Sequence, residues 1–359
     1  MVKALVARGV DRDMAVEEVE LPAPGPTQVR VRIRAAGVCH SDLSMANGLL
    51  TAPFPLVLGH EAAGVVAEVG SEVSRVTPGD HVVLNWSPAC RRCWFCTHGE
   101  PWLCAAGGTP AVQRGTTADG EPLHVTLGLG ALAEEVVVPQ DAVIRIADDV
   151  PLEESALLGC AVLTGVGAVR NTARVQPGDA VLVIGLGGVG LSVVSAARAA
   201  GADPVIAVDV TTAKEELARN AGATHFLASD DTLSKSVRKL TEGRGVDHAF
   251  ECVGRSTTIR TAWRGTRRGG QVTVVGMGAK DDLLSLSALD IFSSARTLRS
   301  SVYGSSDPDV EVPRLAAAVV DGSLDLSPLV THRITLAEAP AAFERMARGE
   351  GARSLVVFD

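Results

Sequence analysis

The stretch Ala180-Val181-Leu182-Val183-Ile184-Gly185-Leu186-Gly187-Gly188-Val189-Gly190 decides the fold. Its apolar, mostly β-branched first half reads as a buried strand, and it runs straight into G-x-G-x-x-G and the apolar helix Val189 to Ala200. That glycine pattern alone is weak evidence. Here it lies between a strand and a helix, and a second strand, Val205-Ile206-Ala207-Val208, ends in Asp209 about 20 residues further on. Gly185, Gly187, Gly188 with Val189, and Gly190 let the backbone approach a pyrophosphate, and the helix N-terminus adds partial positive charge. Asp209 would accept from the adenosine ribose hydroxyls and repel a 2′-phosphate. Val210-Thr211-Thr212 offers no arginine to receive one, so NAD is favoured over NADP.

Outward from this stretch, strand and helix patterns alternate through Thr224 to Leu227, Asp231 to Thr241, Val246 to Cys252 and Gln271 to Gly276. This is the pattern of a doubly wound parallel sheet. Val253-Gly254 and Val275-Gly276-Met277 fall at strand C-terminal ends, where such sheets bind ligands, and are expected on the nicotinamide side. Cys252 reads as a core thiol.

The rest of the chain has a different texture. At 359 residues, with 46% hydrophobic and 21% charged residues, two globular domains are expected. A formal net charge of -9 argues against nucleic acid or an anionic membrane as the main partner. Arg30, Arg32 and Arg34 alternate as the solvated face of a strand does. No run is long enough for a membrane span or a leader, so a cytoplasmic location is expected. Lys3 to Arg8 and Gln28 to Ile33 read as strands broken by Leu21-Pro22-Ala23-Pro24-Gly25-Pro26; residues 105–131 read as loop, and Ala133 to Pro139 as strand again.

The cysteines carry the chemistry. Seven is an odd number, and tight clustering favours metal over disulfides. Cys90, Cys93, Cys96 and Cys104 are spaced C-x2-C-x2-C-x7-C; four thiolates close a tetrahedron around zinc and leave no reactive position. An iron–sulfur cluster or a zinc ribbon would use similar spacing. Gly37-Val38-Cys39-His40-Ser41-Asp42 and Gly59-His60-Glu61 add a thiol, an imidazole and carboxylates beside glycine turns, the donors an open zinc site requires.

With Gly64, Gly70 and Val73, the second of these stretches makes G-H-E-x2-G-x5-G-x2-V, which resembles the zinc signature of the medium-chain alcohol dehydrogenases. The four-thiol block resembles the structural-zinc lobe of the same family, and the likeness covers essentially the whole chain. It implies an α/β protein: a GroES-like β-rich catalytic domain over residues 1–152 and 300–359, with the lobe at about 88–106, plus a Rossmann NAD-binding domain over 153–299. It also implies Cys160 as the third ligand beside Cys39 and His60, and hence two zinc ions per chain. The stretch Pro151 to Ala168, which reads as a helix, carries that cysteine.

The resemblance further implies roles for neighbouring residues. Ser41 receives the substrate proton, while Ser44 stands where many relatives have the relay histidine. Asp42 orients His60, and Glu61 approaches the metal. His40, Thr164, Lys214 and Arg353 join the glycine loop, Asp209, Val253, Val275 and Met277 in holding NAD, and Trp86, Leu49 and Leu50 wall an apolar substrate pocket. The expected reaction is reversible hydride transfer between a primary alcohol, aromatic ones included, and NAD. A glutathione- or mycothiol-type formaldehyde dehydrogenase is the alternative, although Gly108-Thr109 occupies the place of its expected arginine and Arg114 is a loose substitute. A zinc-stabilised NAD-fold protein without activity is the third reading. The interval from Cys104 to Cys160 is nearer that of the dimeric animal-type members, so a homodimer is expected, with a homotetramer as the other form.

Overall fold

The computed structural model describes residues 1–108 and 111–359. These form two compact units, Met1–Leu163 with Asp307–Asp359, and Thr164–Ser306. The division differs from 152/153 and 299/300 for identifiable reasons. The helix Leu152–Ser155 and the 3-10 turn Ala156–Gly159 pack on the strands Gln28–Gly37 and Ala62–Val69 of the first unit. Ser301 and Ser305 are held in the second unit by the Thr172 hydroxyl, at 2.9 and 2.8 Å.

In the first unit Val2–Ala7, Met14–Glu20, Ala111–Thr117, Pro122–Thr126 and Leu56–Val57 close a small barrel. A sheet beside it runs Val143–Arg145, His81–Leu84, Ala62–Val69, Gln28–Gly37, Arg353–Val357, Val330–Ile334, with Glu135–Pro139 paired to Gln28–Gly37. Alternation explains the central strand: Val29, Val31 and Ile33 are fully buried, while Arg30 reaches Glu135 at 3.1 Å. The helix Ala339–Ala347 buries Ala342 and Phe343 in the same core. Residues 105–131 contain two strands where the composition reads as loop. The register shifts at Gly115, which adopts φ +90°, and Thr117 and Thr126 take buried positions that apolar residues would mark, so apolar alternation is weak; Thr109 and Pro110 lie outside the described residues.

The second unit is a parallel sheet ordered His225–Ala228, Val205–Asp209, Val181–Ile184, Val246–Glu251, Thr266–Val274, Thr297–Ser300. All four residues of Val181–Ile184 are buried, as a central parallel strand requires. The order reverses between Val181–Ile184 and Val246–Glu251, which is where a doubly wound sheet opens a crevice at its strand C-termini. Among the described residues no single helix is long and apolar enough to cross a membrane.

Candidate metal centres and dinucleotide site

Three separate chain segments converge on one buried point of the first unit. Cys39 ends the run from the strand Gln28–Gly37 and caps the helix His40–Ala46 in extended conformation. His60 follows Gly59, whose φ of +101° and contact with the Leu132 backbone exclude a side chain. Cys160 sits not inside a helix but at the break between Ala156–Gly159 and Ala161–Gly167, with φ -145° and ψ -79°. That break turns its thiol off the helical path. One ligand atom from each of Cys39, His60 and Cys160 lies within 4.8 Å of the other two, and all three residues are buried.

The surroundings orient these donors. Asp42 is fully buried; its Oδ1 accepts the Gly59 N–H at 2.8 Å and its Oδ2 lies 3.1 Å from His60 Nδ1. That leaves His60 Nε2 turned toward Cys160 Sγ, at 3.3 Å. Glu61 accepts the Ala161 N–H at 2.8 Å through Oε1, and its Oε2 lies 3.2 Å from Arg353 Nε. The Glu61 carboxylate fills the space a Cβ on Gly37 would need. Arg353 also donates to Val38 O at 2.9 Å, so the C-terminal strand braces the Cys39 segment.

Electrostatics match a cation site. The hydrogen bond with Cys160 holds the Cys39 thiol well below its ordinary range, burial and Arg353 acting in opposite senses behind it. The same bond, with burial, pushes the Cys160 thiol up. Burial works to lower His60, but Asp42 and then Cys39 outweigh it and raise the imidazole. Burial raises Glu61 to about 7 against the pull of Arg353. Two sulfurs crowded around one proton, beside an oriented imidazole, are groups that release protons together when a dication takes their place. Three donors leave one tetrahedral position open, and the set fits zinc.

The second thiol cluster is of another kind. One sulfur from each of Cys90, Cys93, Cys96 and Cys104 lies within 4.8 Å of the rest, with Cys93 3.5 Å from Cys96 and 4.0 Å from Cys104. Such separations are those of thiolates about 2.3 Å from a single central ion. A cluster with several irons between the cysteines would hold them farther apart. The Cys90 and Cys93 amides donate to sulfur at 3.2 and 3.4 Å, and all seven cysteines are free of disulfides. This is a closed structural zinc site.

In the second unit Gly185 adopts φ +92°, Gly187 caps the helix Gly188–Ala199, and a side chain on Gly190 would strike Gly185 O. The turn is therefore a backbone cradle of the kind that receives phosphate. Asp209 accepts from Leu186 N–H at 2.9 Å and Thr211 N–H at 3.2 Å at the end of its strand. Lys214 is buried beside it, its Nζ 3.4 Å from Leu186 O; burial lowers its pKa and Asp209 opposes that. Val253 and Met277 are exposed and Val275 is half-buried at neighbouring strand ends.

Other predicted positions are less sharply placed. Ser41 Oγ is 4.0 Å from Cys39 Sγ, and His40 is exposed on the first turn of the same helix. The Ser44 carbonyl accepts from the Leu50 N–H at 2.8 Å. Trp86 and Leu50 pack on the first unit's core, whereas Leu49 is exposed. Thr164 is buried at the start of the second unit. Spacing gave no sign of the Glu61–Arg353 pair, whose members lie at opposite ends of the chain.

Residues 25–148 match the alcohol dehydrogenase GroES-like domain, and residues 188–319 the zinc-binding dehydrogenase domain. The chain is 36% identical over 366 residues to the S-(hydroxymethyl)glutathione dehydrogenase of Escherichia coli O1:K1, covering 99% of both. Among solved structures it resembles an alcohol dehydrogenase zinc-binding domain protein from Burkholderia ambifaria, with TM-score 0.92, 32% identity, and 100% and 99% of the two chains covered. It is also similar to the benzyl alcohol dehydrogenase of Acinetobacter calcoaceticus, with TM-score 0.91, 26% identity and the same coverage.

Proposed function

We propose, from the premise that this chain belongs to the zinc-dependent medium-chain alcohol dehydrogenase family, that it oxidises the primary hydroxyl of an S-hydroxymethyl thiol adduct with NAD as hydride acceptor. The observation that carries dehydrogenase chemistry is the buried trio Cys39, His60 and Cys160, with donor atoms close enough for one ion and a fourth position open. Zinc at such a position supplies Lewis acidity, lowering the pKa of a hydroxyl and polarising a carbonyl in the reverse direction.

The chain's own residues do the rest. Asp42 Oδ2 faces Nδ1 of His60 at 3.1 Å, which favours a proton there and leaves Nε2 to ligate. Ser41, a donor and acceptor 4.0 Å from the Cys39 sulfur, takes the substrate proton. Ser44 carries only a short hydroxyl where a relay histidine would reach further, and water completes the path to solvent. Glu61 and Arg353 brace the ligand-bearing segments, Glu61 accepting from the Ala161 N–H beside Cys160 and Arg353 donating to Val38 O beside Cys39; Glu61 is the carboxylate that would stand next to a bound metal. The glycine turn at Gly185 to Gly190, Asp209 and Lys214 hold the dinucleotide, and the Asp209 carboxylate selects against a 2′-phosphate.

The thiol-adduct reading is supported by the full-length relatives at 36% identity, whose name states that substrate. Arg114 does not serve it: its guanidinium stem lies in the small barrel beside Ala4, Val19 and Val57, where burial lowers its pKa. The carboxylates of a thiol carrier must therefore meet other cations. A second reading, oxidation of a simple primary or aromatic alcohol such as benzyl alcohol, is supported by half-buried Trp86 with Leu50 and by the Acinetobacter relative. NADH formation with formaldehyde plus glutathione or mycothiol, against benzyl alcohol without thiol, separates the two. Strict thiol dependence supports the first; equal turnover of benzyl alcohol alone overturns it.

A homodimer is part of the reading. The edge strand Thr297–Ser300 is exposed along its length, its Leu298 at 40%, and Leu289 and Phe292 on the preceding helix Ala288–Ser294 are exposed at 74% and 85%. An open sheet edge together with exposed apolar side chains is a surface that proteins cover.

A further inference from the structure

We infer that Glu251 is a positioning residue for the nicotinamide half of the cofactor, an inference that rests on the NAD reading above. Glu251 ends the strand Val246–Glu251 and is fully buried. A buried carboxylate is costly unless its oxygens are satisfied. Here they are satisfied by its own strand-end turn: Oε1 accepts the N–H of Val253 and of Gly254, both at 2.9 Å, and the Thr258 hydroxyl at 2.7 Å. Oε2 takes a further share of the Gly254 N–H at 3.1 Å. Its backbone carbonyl accepts from Val275 and Gly276, at 2.8 and 3.0 Å. One residue thus ties together two adjacent strand ends.

The tie reaches the cofactor cradle. The Val253 side chain lies against Gly185, where an added Cβ would come within 2.6 Å of Val253 Cγ2. Gly254, at φ +84°, packs on the Met277 carbonyl group, where a Cβ would approach to 2.5 Å. Strand order says which part of a dinucleotide meets this turn. Asp209 lies on one side of the strand that feeds Gly185, and Glu251 on the other. With adenosine ribose at Asp209 and pyrophosphate at the glycine turn, the nicotinamide extends over Val253 and Val275. The Glu251 carboxylate touches no cofactor atom in this arrangement; it fixes the backbone that does.

The test is binding of NADH and of ADP-ribose, which lacks the nicotinamide, to the zinc-loaded protein by calorimetry. Glu251→Ala weakens NADH on the order of tenfold while ADP-ribose stays within about threefold, the loss expected when several hydrogen bonds to a charged acceptor go. Glu251→Gln keeps an acceptor oxygen for the same amides and restores NADH binding to within about threefold of wild type. If Glu251→Ala fails to fold, Thr258→Val removes one donor to the charged acceptor and weakens NADH about sixfold, while ADP-ribose stays within about twofold. Equal weakening of both ligands, or no change in NADH, overturns the inference. A wild-type protein that binds ADP-ribose and NADH not at all overturns the NAD reading itself, and this inference with it.

Discussion

Arg353 Nε lies 3.2 Å from Glu61 Oε2, and the two side chains are buried at 4% and 0% exposure, directly behind the ligand shell of Cys39, His60 and Cys160. A charge pair so placed costs much to bury and more to break, because removing one member strands the other. Glu61 also holds Ala161, the residue after Cys160, so the pair couples two ligand-bearing segments to the C-terminal strand.

Arg353→Ala therefore destabilises the protein by about 3–5 kcal/mol. Urea unfolding of the zinc-loaded protein measures it. Arg353→Lys recovers less than half, since an ammonium lacks the planar fork whose Nε faces Glu61 while another nitrogen donates to Val38 O. An alanine variant of wild-type stability would mean that the pair is idle.

Asp42→Asn leaves the Gly59 amide an acceptor but removes the charge facing His60 Nδ1. Zinc affinity of the open site falls about 10–100-fold. Competition with a chromogenic chelator reads this directly: the variant gives up one zinc early, while the four-thiolate zinc is released as in wild type.

Cys96→Ser attacks the other centre. Three thiolates and a hydroxyl hold zinc poorly, and the segment from Cys90 to Cys104 loses its staple. The variant retains about one zinc per chain, in the open site. Limited proteolysis shows new cleavage confined to the lobe, while the barrel and the parallel sheet remain protected.

Burial works to raise the Asp247 carboxyl, but the Ala180 N–H at 2.8 Å and Arg267 at 2.6 Å outweigh it, so its pKa lies below the usual value. A lowered folded pKa contributes stability above the unfolded value and loses it as pH falls through the folded one. Asp247→Asn should cost about 1 kcal/mol at pH 7. The gap between variant and wild type stays constant down to about pH 5 and closes below about pH 4. Urea midpoints at matched pH check both limbs.

What the sequence disclosed depends on distance along the chain. Cys90 to Cys104 and Gly185 to Gly190 were legible because each site is built within one turn-rich segment, where spacing nearly dictates geometry. Cys160 was legible only through resemblance, and its setting at a helix break was not, since apolar periodicity runs straight through it. The strands Ala111–Thr117 and Pro122–Thr126 were hidden by glycine and threonine that serve a small barrel. Glu251 carried no signal at all: its meaning comes from the turn folding back on its own carboxylate. Arg353 needed the whole chain to close before it could meet Glu61.

The central claim is that Cys39, His60 and Cys160 hold a working open zinc site separate from the closed thiolate site. Its most direct test is total zinc per chain measured together with NADH formation from formaldehyde plus thiol and from benzyl alcohol, in wild type and in Cys160→Ser. The account predicts about two zinc ions in wild type and about one in the variant, with hydride transfer lost and the four-thiolate zinc retained. Turnover that survives in Cys160→Ser, or a wild type that binds about one zinc and is active, would contradict it.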